Sequence, residues 1–174
     1  MTEPDSFAAA LISEGPHAAL PPESRIFAPF IGSWDLVVSW FDASGALSRR
    51  QDGEWHFAWI LEGRAIQDVW IVPPRHARVA ASDLYEYGTS LRFFDPAIDA
   101  WQSTWIGPMH RLVRSFIAHR AGDQVVLETV EGTSPRMRWS FADIAADAFT
   151  WRNEAWKDGA WRLQQAFEAR RRRA

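Results

Sequence analysis

The chain has 174 residues, with 19 Lys and Arg against 22 Asp and Glu, a formal charge of -3 and a pI near 5.9. A nucleic-acid-binding domain normally carries a basic footprint, so no nucleic-acid partner is expected, and the Arg run at 170–173 reads as a solvated tail. The absence of Cys removes disulfide and thiolate chemistry. No apolar run approaches the roughly 20 residues of a membrane span, and the N-terminus lacks a basic stretch followed by an apolar one, so no membrane partner and a cytoplasmic location are expected.

A chain of this length fits one domain with a sizeable core. Eleven Trp and eleven Phe stand against two Tyr, and every Trp falls between Trp34 and Trp161. Burying each such ring contributes roughly 1.5 to 3 kcal/mol of gross transfer energy, so the aromatics offset much of the chain entropy lost on folding.

Residues 1–22, rich in Ala, Pro, Ser and Gly, read as a loosely ordered arm, and 23–174 as the folded domain. Ile26, Phe27 and Phe30 suit a short helical turn limited by Pro29, its apolar face covering one end of the sheet beyond it. Period-two alternation then predicts strands at 34–42, 54–61, 64–72, 84–94, 101–106, 110–119, 124–130, 136–141, 148–156 and from 161. Gly45, Asp95-Pro96, Gly107-Pro108, Gly122 and Asp158-Gly159 mark turns between them. Residues 73–82 read as a longer connection, either a lid or a plain surface loop. Short strands, short turns and no long amphipathic helix predict an all-β protein: an antiparallel up-and-down barrel of about ten strands, with a short N-terminal helix capping one end. Closure also removes the exposed edges of so apolar a sheet.

The hairpin at 53–72 carries the candidate chemistry. Trp55, Phe57, Trp59 and Leu61 share one face of its first strand and Glu54, His56, Ala58 and Ile60 the other; in the second, Ile66, Asp68 and Trp70 oppose Ala65, Gln67, Val69 and Ile71. Ionisable groups among aromatics need partners, since an unsatisfied buried polar group costs about 1 to 3 kcal/mol. If His56 meets Asp68 across the hairpin, or Glu54 two residues away, the carboxylate orients the imidazole and raises its basicity, as a general base requires. Arg92 or Arg138 is then the candidate for stabilising developing negative charge. The alternative for these charges, and for Arg138 and Glu154, is a salt-bridge ladder on the outer wall or in a homodimer contact.

Phe30-Ile31-Gly32-Ser33-Trp34, placed before a meander of this size, resembles the opening of lipocalin-like, or calycin-like, barrels. Longer strings resemble uncharacterised bacterial lipocalin-like proteins: Gly53-Glu54-Trp55-His56-Phe57, Leu61-Glu62-Gly63-Arg64-Ala65, Gln67-Asp68-Val69-Trp70, Tyr87-Gly88-Thr89 with Arg92, and Phe149-Thr150-Trp151-Arg152. The resemblance spans residues 27–171 approximately. It implies a first-strand Trp covered by a basic residue near the end of the last strand, for which Arg170 or a neighbour is available. It brings a fold and no reaction.

Within such a barrel, Trp55, Trp59, Trp101, Trp105, Trp139 and Trp151 are candidate walls of a slot for a small apolar or aromatic molecule, with Tyr87, Arg138 and Glu154 as polar contacts. The bland alternative is that these rings fill the core. A second functional reading is a cofactor-independent isomerase, cyclase, hydratase or lyase using His56 with Asp68 or Glu54. A third is an interaction protein with a solid barrel. The five His show no close ligand spacing and phosphate-loop and dinucleotide motifs are absent, so neither metal nor other cofactor is expected.

Overall fold

The structure is a computed structural model describing residues 6–78 and 85–173. After a two-residue strand β1 (Ile12–Ser13), ten antiparallel strands close into a barrel: β2 (Gly32–Phe41), β3 (Leu47–Ile60), β4 (Ala65–Val72), β5 (Glu86–Asp95), β6 (Ala100–Gly107), β7 (Leu112–Ala121), β8 (Gln124–Thr129), β9 (Met137–Ala142), β10 (Ala148–Lys157) and β11 (Ala160–Arg171). Each barrel strand pairs with its neighbour in sequence, and β11 returns to β2 from Gln165 opposite Trp40 to Arg171 opposite Trp34. The expected all-β barrel, with one short N-terminal helix, is therefore the fold.

Two boundaries differ from the pattern in the sequence. Strand β3 begins at Leu47, several residues before the alternation of its hairpin becomes apolar. Its polar first half pairs with Val37–Phe41 at an open end of the barrel, where backbone bonds hold the register without apolar burial. Strand β7 begins at Leu112 because Pro108–His110 forms a 3-10 turn ending at Arg111 in the left-handed region. The start of the expected strand at 84, and residues 79–82 of the 73–82 connection, lie outside the described residues, while Arg75–Ala77 form a 3-10 turn.

One end of the barrel is plugged from within. The 3-10 turns Pro22–Ser24 and Ala28–Phe30 lower Phe27 and Phe30, both fully buried, onto Trp101, Phe141 and Phe149 at ring separations of 4.5 to 5.2 Å. The helix α1 (Phe7–Leu11) buries nothing, so capping falls to these turns rather than to the helix. Trp34 donates its indole N–H to Phe30 O at 2.7 Å, and the Arg171 guanidinium lies 4.1 Å over the Trp34 ring. Arg171 also donates to the carbonyls of Pro29, Ile31 and Ala146, so it, rather than Arg170, joins the last strand to the plug.

The arm is stitched to the β3–β4 turn. Strand β1 pairs with Ile60 and Trp59, Leu61 N donates to Leu11 O, Gly63 N to Ser13 Oγ and His17 N to Gly63 O. Gly63 has φ +76, and a Cβ there would overlap the Gly15 carbonyl. Both conditions demand glycine. Replacing Gly63 by Ala should therefore cost about 1 to 3 kcal/mol and expose residues 11–17 to protease; an unchanged urea midpoint and digestion pattern would refute this role for the turn.

Candidate functional site

Alternation decides which side chains enter the barrel. Trp55, Phe57 and Trp59 of β3, Asp68 and Trp70 of β4, Ser90 and Arg92 of β5, Trp101 and Trp105 of β6, Trp139 of β9 and Trp151 and Asn153 of β10 are all buried. They divide along the barrel axis. Near the plug, Trp101 packs on Phe27 and donates to Ser24 O at 2.7 Å, and Trp59 joins the solid core. Toward the opposite end a cavity of about 460 Å³ remains, within the usual range for small-molecule sites.

Trp40, Trp55, Trp70, Trp105, Trp139 and Trp151 line this cavity with Phe167. Of the expected wall residues, Trp55, Trp105, Trp139 and Trp151 are therefore brought together, while Trp59 and Trp101 do not reach it. The rings brace one another: Trp70 and Trp105 are 5.6 Å apart, Trp105 and Trp139 6.2 Å, Trp139 and Trp151 5.4 Å, mostly tilted or edge to face. Trp105 has space because β5 and β6 carry glycine beneath it. A Cβ at Gly88 would overlap its ring, and one at Gly107 would lie 2.8 Å from its Nε1.

Polar groups also line the cavity. Trp139 Nε1 donates to Asn153 Oδ1 at 3.1 Å, and Asn153 Nδ2 to Gln165 Oε1 at 3.2 Å. Glu86 meets His110 at 2.8 Å, and Arg114 contributes from β7. Burial pushes the Glu86 carboxyl up, against the opposing pull of His110 and Arg49. Arg49 itself stacks 3.6 Å over Trp40. Sequence reasoning missed Trp70, Glu86, His110, Arg114, Asn153 and Gln165 as site residues. Trp70 and Asn153 were visible on the same strand faces as Asp68 and Trp151, whereas Glu86, His110 and Arg114 carried no local signal.

The expected pairing of His56 with Asp68 does not form. Across the hairpin, His56 stands opposite Val69 and Asp68 opposite Phe57, so the imidazole and the carboxylate leave opposite faces of one wall. Asp68 points inward and is fully buried with Arg92, whose Nη2 donates to Oδ2 at 2.5 Å, while Ser90 N donates to Oδ1 at 3.1 Å. Among the described residues, Arg92 Nε and Nη1 and the neighbouring Ser103 Oγ have no hydrogen-bond partner. The guanidinium carbon lies 4.8 Å from the Phe27 ring and 5.7 Å from Phe57, which leaves ring faces to meet part of the charge. None of Asp68, Arg92, Glu54 or His56 lines the cavity.

Glu54 and His56 do meet, on the outer wall. His56 reaches Glu54 Oε2 through Nε2 at 3.0 Å and Ser33 Oγ through Nδ1 at 2.9 Å. Arg75 donates to Glu54 from its backbone N–H at 2.9 Å and its Nε at 2.7 Å, and Arg172 bridges Asp35 and Glu54. Burial pushes Glu54 up, but the Arg75 side chain, its backbone N–H and the His56 bond together hold the carboxyl at about 2. This cluster ties the segment after β4 and the end of β11 to the wall.

Arg138 and Glu154 also face outward, as a cross-strand pair at 2.8 Å whose guanidinium covers Trp161. They border an outer groove, because Met137, Trp139 and Phe141 take the inward positions of β9. Tyr87 is partly exposed on the outer face of β5 beside Arg78. These three residues, expected as polar ligand contacts, do not line the cavity. Among the described residues no three His, Asp or Glu converge as metal ligands, and no helix is long and apolar enough to cross a membrane.

No protein-family model matches the chain, and no curated protein matches it. Among solved structures, the crystal structure of a protein of unknown function from the DUF3598 family of Nostoc punctiforme aligns over 87% of this chain and 100% of its own, at 10% identity and a TM-score of 0.29. Likeness that slight carries no argument about the site.

The ion pairs make two outcomes measurable. Asp68→Ala should lower stability by about 3 to 5 kcal/mol, because it strands a buried guanidinium, whereas the double change Asp68→Leu with Arg92→Met should recover most of the loss. Equal denaturant midpoints for single and double variants would refute this account. Because the folded Glu54 carboxyl is held at about 2 rather than the ordinary 4.5, its stabilisation is complete above pH 4.5 and is lost as pH falls toward 2. The stability gap between the wild type and Glu54→Gln should close over that window, and a gap constant with pH would contradict the assignment.

Proposed function

We propose that the protein is a small-molecule-binding barrel that holds an apolar or aromatic ligand in its Trp-lined cavity. The observation that carries this reading is the division of the interior: Phe27 and Phe30 plug one end, while six Trp border about 460 Å³ at the other. A core built only for stability is packed to crystal-like density. Here glycines at 88 and 107 make room for a Trp at the cavity wall instead of a side chain that would fill it.

Gly32-Ser33-Trp34 with Arg171 over the Trp34 ring supports a lipocalin-like assignment, in keeping with the resemblance of the sequence strings. Barrels of about this size either fill their interior with side chains or hold one small ligand. The proton-transfer reading built on His56 is less favoured, since His56 and Glu54 already serve as a clamp on the outer wall and Asp68 is locked to Arg92.

Binding should quench Trp fluorescence with one-to-one stoichiometry across a panel of two-ring and three-ring aromatics. Ala155 lines the cavity, so Ala155→Trp should fill it and weaken binding at least about tenfold, while β circular dichroism is retained. Full affinity in that variant would place the ligand elsewhere and remove the proposal.

A further inference from the structure

We infer that the cavity selects an organic anion: a flat apolar molecule bearing a carboxylate, or an equivalent acidic oxygen group, held by Arg114. The inference rests on the reading of the cavity as a ligand site and goes on to name the class of ligand.

Arg114 lines the cavity in a half-buried position and takes part in none of the ion pairs among the described residues. By contrast, Arg92, Arg138 and Arg172 each hold a carboxylate at 2.5 to 2.8 Å. A guanidinium carries five donors and no acceptor, so its complement is an anionic oxygen, met best in a bidentate fork.

The amides beside it point to the same chemistry. In the chain from Trp139 through Asn153 to Gln165, each amide oxygen already accepts one hydrogen bond, and the Gln165 NH₂ remains a donor on the cavity lining.

Glu86 is the carboxylate on the lining, and His110 engages it at 2.8 Å. Arg49, stacked on Trp40, adds a second guanidinium near Glu86. Arg114 is the guanidinium on the lining, and the one carboxylate there is already engaged by His110, although the chain as a whole carries -3. Trp walls alone would accept a cation as readily as a neutral ring. Arg114, which holds no carboxylate among the described residues, opposes a cation and favours an anion. The apolar walls set the rest of the ligand, because a small hydrated anion would leave the rings of Trp70, Trp105 and Trp139 uncovered.

The test compares three molecules of one shape: naphthalene-2-carboxylate, 2-naphthylmethanol and 2-naphthylmethylammonium, titrated calorimetrically into the full chain at pH 7 and fixed ionic strength. The carboxylate should bind at least about tenfold tighter than the alcohol, with the ammonium weakest, as expected for a charge-assisted bond made in a desolvated site. Arg114→Met should bring the carboxylate-to-alcohol affinity ratio close to one, and Arg114→Lys should keep part of it. A ratio near one in the wild type, or one that survives Arg114→Met, overturns the anion inference and leaves the cavity reading standing, provided that Ala155→Trp still blocks the alcohol. If none of the three binds the wild-type chain, the cavity reading falls, and the inference falls with it.

Discussion

Closure of the first barrel strand on the last is the constraint on which the other features depend. β2 and β11 are separated by most of the chain, and their pairing is secured at one end by Arg171, which covers Trp34 and gathers the carbonyls of Pro29, Ile31 and Ala146. Because Trp34 also bonds Phe30 O, the same contact seats the plug. Strand closure and end closure are thus one event. Without it, β2 and β11 would each present a row of unpaired backbone groups in an unusually apolar sheet.

A barrel closed in this way has two ends with different chemistry. At the plugged end aromatic rings meet directly, and the buried Asp68–Arg92 pair sits next to Phe27 and Phe57. Such a pair adds little net stability over well-packed apolar residues, and removing one partner is costly. It is suited to enforcing one register between β4 and β5, since a one-residue slip would turn Asp68 or Arg92 outward. At the other end, the rings border space. Among the described residues the buried N–H groups of Trp55, Trp70 and Trp151 have no partner.

The hairpin of β3 and β4 is a wall with separate functions on its two sides. Its outer face carries Glu54 and His56 in a cluster that fastens Arg75 and Arg172. Its inner face carries Trp55 and Trp70 at the cavity and Asp68 in the core. A group only one residue away along a strand therefore belongs to a different environment. This is why His56 and Asp68, near neighbours in sequence terms and attractive as a catalytic pair, never approach one another.

Much of the architecture was legible from residue order. Period-two alternation and turn residues place the ten strands, and Ile26, Phe27 and Phe30 announce the cover over one end, because these signals are local and each strand's burial repeats every second residue. Trp55, Trp105, Trp139 and Trp151 were readable as wall residues for the same reason. What the pattern left open was which face of each strand turned inward, since apolar side chains occupy both, and how far along the axis each ring would sit. Those choices depend on register, barrel curvature and the position of the plug, all set by contacts between residues far apart in the chain. Trp59 and Trp101 were thereby consigned to the solid half, Arg138 and Glu154 to the outer wall, and Glu86, His110 and Arg114 brought onto one cavity lining from separate segments.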